Sequence, residues 1–179
     1  WQNNSKSIAL SVWNVTPKDV MGYEKAVEWN GLIGAFGFIV TFSIAFYLAK
    51  LAKKHGAKMI HFACLLFGAI SFLWFPTIQN QYVFFAVIIG YGIAWASMMG
   101  IPYLMVVAVI PKERYGVYMG IINMMIVIPM IIQNLSFGYI LKNFLDNDPR
   151  QAISFAGVLL MLAAICTLLI KIKNTKVSE

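Results

Sequence analysis

Charged residues are scarce in this chain. Only 12% of its 179 residues are Asp, Glu, Lys or Arg, where a soluble domain carries about a quarter. Hydrophobic residues make up 60%. A chain so poor in charge cannot hide its apolar surface in one water-soluble core, so the bilayer is the expected solvent. There are two cysteines, Cys64 and Cys166, both in apolar runs. They read as small core hydrophobes and indicate neither a disulfide nor a metal site. No Gly-rich phosphate loop with a lysine, no His-Glu-x-x-His and no nucleophile elbow occurs. An enzyme is therefore not expected, nor a cofactor. Gly90-Tyr91-Gly92 lacks the Thr-Val that precedes it in a potassium filter. The net charge of +7 does not point to nucleic acid, because the basic residues lie between apolar runs and form no aromatic-interleaved surface. With no initiator Met and no signal-peptide pattern, the chain reads as a piece of something longer.

What is present is a series of long apolar segments. About 20 apolar residues cross a bilayer as a helix, and five segments meet this: Asn30 to Ala52, Met59 to Ile78, Val83 to Ile110, Tyr115 to Leu141 and Ala152 to Ile170. The third and fourth exceed the minimum and should tilt or extend beyond the membrane. Residues 1–29 read as the end of a truncated helix near Trp1 and Gln2 followed by an external loop, with a disordered arm as the alternative. Residues 30–179 read as a five-helix transmembrane bundle with a C-terminal tail.

Charge sets the expected orientation. If the spans alternate, Lys50, Lys53, Lys54, Lys58, Lys112, Arg114, Lys171, Lys173 and Lys176 share one side with Glu113 and Glu179. On the other side Lys6, Lys18, Lys25, Lys142 and Arg150 are balanced by Asp19, Glu24, Glu28, Asp146 and Asp148. Basic loops mark the cytoplasm, so residues 1–29 are expected outside and the C-terminus inside a cell membrane. No Asp, Glu, Lys or Arg falls deep in a span. Such a residue is the usual mark of an ion or proton relay, so any coupling charge is expected outside these 179 residues.

Polar and small residues interrupt two spans. In the fourth, Gly116, Gly120, Asn123, Val127, Asn134 and Gly138 share a narrow arc at helical spacing. An amide left unpaired in hydrocarbon costs several kcal/mol, so this stripe should face protein or water. Helix packing and an aqueous cavity for a polar solute are both open readings. In the third, Tyr91, Trp95, Met98 and Pro102 share one face, and Gly90, Ala94, Ser97 and Ile101 an adjacent one. Trp95 and Ser97 fall near mid-span, although tryptophan favours membrane interfaces. A flat aromatic there suits the CH face of a sugar ring, or it plugs the core. Pro102 and Pro129 each release a backbone carbonyl and are candidate flexing points. In the second span His61, Cys64, Gly68 and Ser71 share a face, with His61 read as packed or interfacial rather than a relay. Gly31, Gly34, Phe38, Thr41 and Ala45 of the first span form an expected packing stripe.

Two stretches resemble a known family. "AKLAKKHGAK", Ala49 to Lys58, resembles the basic loop Gly-x-Leu-x-Asp-Arg-x-Gly-Arg-Lys of major facilitator superfamily transporters. Leu51, Lys54, Gly56 and Lys58 fit, while Ala49 replaces the first Gly and Lys53 replaces the Asp on which the family's conformational latch is built. Gly92 to Ile132 resembles the tenth and eleventh helices of the sucrose and maltose proton symporter branch. Trp95-Ala96-Ser97, Ile101-Pro102-Tyr103, Pro111 with Gly116, Tyr118, Met119 and Gly120, and Asn123 with Ile126 to Pro129 carry that likeness. Met130 stands where related members often have Gln.

The resemblance implies an all-α polytopic membrane protein. The chain would be the C-terminal six-helix half of a twelve-helix fold, with five complete transmembrane helices and a stub of the first. It implies alternating access by rocking of the two halves around a site near the midplane. The expected solute is a sugar of the α-glucoside or disaccharide class, moved by symport with a proton bound mainly in the N-terminal half. Expected contacts are Trp95, which would stack on the sugar, with Tyr91, Ser97, Asn123 and Asn134. Lys54, Gly56 and Lys58 would form the conformational-switch loop. A superfamily carrier of another solute, such as a drug, nucleoside or organic acid, is the nearest alternative. A non-transporting membrane scaffold is the alternative from another class.

Overall fold

The computed structural model describes residues 20–78, 80–146 and 148–170. These form five long helices: α1 (Val20–His55), α2 (Ala57–Trp74), α3 (Phe84–Val107), α4 (Tyr115–Phe144) and α5 (Pro149–Leu169). All five are long and apolar enough to cross a membrane, and no strand occurs among the described residues. The hydropathy reading placed the same five spans. The first helix is longer than its apolar run, because it starts at Val20 and not at Asn30. Glu24, Lys25 and Glu28 therefore lie on its first turns, before the apolar stretch begins. The rest of the expected external segment, residues 1–19, lies outside the described residues.

The connections show local chemistry at work. One residue, Gly56, joins α1 to α2, with φ 89° and ψ 127°. Side-chain-bearing residues avoid positive φ, so glycine is what permits so short a reversal here. Asn80 accepts a hydrogen bond from the Tyr82 amide (2.9 Å) and opens the short turn before α3. Asp148 does the same for the Arg150 amide (2.8 Å), with Pro149 in the first turn of α5. An acceptor followed by proline is a favourable helix start.

α3 is the central helix. It packs along both α1 and α2, while α2 also carries α5 on another side. α1 and α2 are neighbours in sequence, yet they touch each other far less than each touches α3. A core of Ile33, Phe72, Phe75, Ile78, Phe84, Val87, Ile88 and Ile153 fills one end of this four-helix layer. Leu48, Cys64 and Ala96 form a smaller cluster toward the other end.

α1 meets α3 along Ile33, Gly37, Thr41 and Leu48, of which Thr41 is partly buried and the others buried. This differs from the expected stripe of Gly31, Gly34, Phe38, Thr41 and Ala45. Only Thr41 belongs to the contact, donating to the Gly37 carbonyl at 2.9 Å and lying 3.3 Å from the Gly92 carbonyl. Gly31 and Gly34 have no neighbour where a side chain would point. Cys64 is buried as expected, but Cys166 is exposed.

α4 stands apart. Ile122 is its one buried residue, and its contacts to the rest of the chain run mainly to α3 and the short turn before it.

Candidate functional site

The site is built on α3, whose two faces do different work. The first is a packing face. Gly90, Ala94, Ser97 and Ile101 are all buried, as their spacing suggested. α2 lies against them with His61, Cys64, Gly68 and Ser71. The approach is close: a Cβ on Gly90 would sit 1.8 Å from Ser71 Oγ, closer than any real contact. A Cβ on Gly68 would sit 2.4 Å from that of Ala94. Small residues of this kind let transmembrane helices approach through their backbones.

The other face is aromatic. Tyr91 and Trp95 are stacked, with centroids 5.9 Å apart and planes inclined by 24°. Tyr91 in turn stacks on Phe72 of α2 at 5.7 Å and 15°. Three rings thus form a ladder running from the packed core to an open edge. Phe72 is buried, Tyr91 partly buried, and Trp95 37% exposed at the free end. Offset-stacked rings hold one another's planes, so the Trp95 indole is presented in a set orientation. Met98 and Pro102, both partly buried, continue this face. Pro102 has no amide hydrogen, so the Met98 carbonyl lacks its helical partner there.

Tyr103 links α3 to α4: its hydroxyl donates to Asn123 Oδ1 at 2.5 Å. Asn123 therefore has one amide oxygen engaged and its NH2 group still available. On α4 the arc of Gly116, Gly120, Asn123, Val127, Asn134 and Gly138 is exposed along its whole length. No atom lies where a side chain on Gly116, Gly120 or Gly138 would project. The arc is centred about 130° around the helix from Ile122, at 3.6 residues per turn. Pro129 is exposed within the same continuous helix.

The expected contact residues therefore separate into groups. Tyr91 and Trp95 are together. Asn123 bonds Tyr103 of α3, about two turns along that helix from Trp95. Asn134 is exposed more than two turns further along α4 and meets none of the others. Ser97 is a correction. Its side chain is 0% exposed, and its Oγ is 2.7 Å from His61 Nδ1. It points into α2, away from the aromatic face, because two residues along a helix turn the side chain about 160° from Trp95.

Three participants did not stand out in the sequence. Phe72 is one of many phenylalanines, and only the register between α2 and α3 brings it onto Tyr91. Tyr103 lay in a noted motif, but its bond to Asn123 needs the α3–α4 geometry. His61 reads from sequence as packed or interfacial, and spacing along α2 does not show its partner Ser97.

The basic turn lies at the end of the bundle that also holds the C-terminus of α5. Lys58 Nζ donates to the Ile170 carbonyl at 2.8 Å. A cation at a helix C-terminus meets the negative end of the helix dipole. Lys54 is exposed beside Gly56.

The family model described as the Major Facilitator Superfamily matches residues 7–134. That stretch runs through α1, α2 and α3 and into α4. No curated protein matches the chain. No solved structure matches it either.

Proposed function

This chain belongs to the Major Facilitator Superfamily, and from that premise we propose that it is the C-terminal half of a proton-coupled sugar carrier. The superfamily consists of secondary transporters, not enzymes, and the five spanning helices make this a multi-pass membrane protein.

The observation that carries it is the Phe72–Tyr91–Trp95 ladder. It holds an indole face at an open edge, midway along a spanning helix, and about two turns further along α3 Tyr103 engages the Asn123 amide. Sugars present apolar CH faces and hydroxyl edges together. Trp95 would take the first, and the Asn123 NH2 with Tyr91 the second. Asn134 would act further out along the exposed α4 arc. A carrier of fixed anions would want an Arg or Lys on this face, and the spans offer none. The proton would be bound in the other half, as helices without deep carboxylates require. The N-terminal segment would lie outside and the basic turns in the cytoplasm. Lys54, Gly56 and Lys58 would form the switch loop, with Pro102 and Pro129 letting α3 and α4 flex as access alternates.

The test is uptake of radiolabelled α-glucosides by the full-length protein, carrying Trp95→Ala or Asn123→Ala at normal membrane levels. We expect apparent affinity to fall by about five- to tenfold for Trp95→Ala, since stacking on an aromatic ring contributes on the order of 1–1.4 kcal/mol. Unchanged affinity and rate in both variants would remove this site assignment.

A further inference from the structure

We propose that His61 is a positioning residue: through Ser97 it sets the rotation of α3 and thereby holds Trp95 on the open face. This rests on the reading that Trp95 meets the solute.

The α2–α3 contact is a run of small residues. Going along α2, Ser71 meets Gly90, and Gly68 meets Gly90 and Ala94. His61 then meets Ser97. Glycines and alanines let the two backbones approach, but they interlock weakly, because they carry no side chains long enough to fill each other's gaps. Such contacts bring the backbones together, and a directional bond beside them adds a constraint on both rotation and sliding.

The His61–Ser97 pair supplies that bond. With the ring proton on Nε2, the Ser97 hydroxyl donates to Nδ1; with both nitrogens protonated, Nδ1–H donates to Ser97 Oγ. Either form keeps the link. Ser71 and Thr41 also lie at helix contacts of α3, but Ser71 donates to the Phe67 carbonyl of its own helix, and Thr41 makes its shorter bond to Gly37 of its own helix. Neither joins two side chains. His61–Ser97 is thus a short hydrogen-bonded pair of side chains between α2 and α3, and the Cys64 thiol, about one turn along α2, bonds the same Ser97. A polar pair inside an apolar helix contact is known to specify register.

The consequence for the site follows from helix geometry. Trp95 projects about 160° away from Ser97. If α3 turned by one residue, about 100°, Ser97 would leave His61 and Trp95 would leave the open edge. It would also break its stacking on Tyr91 and Phe72. The hydrogen bond on one side of α3 and the ring ladder on the other therefore hold the same rotational setting.

The experiment uses the full-length protein in membrane vesicles. Met98→Cys places a thiol on the Trp95 face, and its alkylation by a water-soluble maleimide, above the background of Cys64 and Cys166, reads the setting of α3 without sugar. His61→Leu and Ser97→Ala are each expected to change that rate by about fivefold, the population shift that one interhelical hydrogen bond of about 1 kcal/mol controls. The double variant should do no more than Ser97→Ala alone, because Ser97→Ala already removes the bond that His61→Leu breaks. His61→Asn, whose amide oxygen can replace Nδ1 as acceptor, should restore the rate and covers the case where His61→Leu does not fold. In transport, His61→Leu should raise KM and leave the maximal rate largely intact. Unchanged alkylation in both His61→Leu and Ser97→Ala would overturn the proposal. A changed alkylation rate with unchanged KM would keep the role of His61 and remove Trp95 as the solute contact.

Discussion

At the residue scale, several side chains owe their role to what sits one helix away. Gly90 is required by Ser71, whose Oγ occupies the space a methyl group would need. Gly90→Ala should therefore force the helices apart, at about 1–3 kcal/mol for overpacking. Gly120→Ala should be neutral or slightly stabilising in the same assay, since nothing lies within 4 Å of its missing Cβ. Thermal stability of the two variants in detergent checks the contrast, and equal losses would contradict it. Gly56 is required by its own backbone. Gly56→Ala at φ 89° should cost on the order of 1–3 kcal/mol, the usual penalty for such a conformation. This is expected as a lower yield of folded protein.

Sequence reading went furthest at this scale where one helix sufficed. The buried face of Gly90, Ala94, Ser97 and Ile101 and the aromatic face of Tyr91 and Trp95 both follow from helical spacing alone. Spacing puts Ser97 both near mid-membrane and on the packing face, and it does not say whether the hydroxyl meets a solute or a neighbouring helix. Its partner, His61, lies 36 positions earlier, and only the α2–α3 register shows it.

At the scale of elements, the five spans were legible because hydropathy is a property of composition. The facing residues of α1 were less so. In a helix that is apolar all round, hydrophobic periodicity cannot separate the lipid side from the protein side. Small residues were the remaining guide, and they pointed to Gly31 and Gly34 when the contact runs through Ile33, Gly37 and Leu48. The end of α5 carries its own prediction. Lys58→Met removes the cation from the Ile170 carbonyl and should cost about 0.3–1 kcal/mol, the worth of a cation at a helix C-terminus. Salt should weaken the wild-type contact similarly, because Lys58 lies near the surface. A stability difference that does not shrink as salt rises would argue against this electrostatic account.

For the whole molecule, the alternation of five helices places the Gly56 turn, the Lys112–Arg114 turn and the end of α5 at one end. The Lys58–Ile170 bond independently joins two of these. Single cysteines at Lys53 and Lys112 should therefore label from the same side of the membrane, and a cysteine at Tyr82 from the opposite side. Labelling of all three from one side would break the topology. The polar arc of α4 was visible in the sequence as a stripe, but not its exposure within this chain. Exposure depends on which helices surround α4, and spacing along one helix carries no information on that.

α3 lies between α1 and α2 although it follows both in the chain. When α1 and α2, joined through Gly56, have entered the membrane and α3 has not, the faces that they will turn to α3 still lack that partner. Assembly therefore has a waiting step, which ends as Phe84–Val107 enters the membrane and fills the slot. Until then the Gly68 and Ser71 face of α2 and the Gly37 and Thr41 face of α1 stay open to the lipid and to any passing helix, so this interval is when quality control has most to recognise.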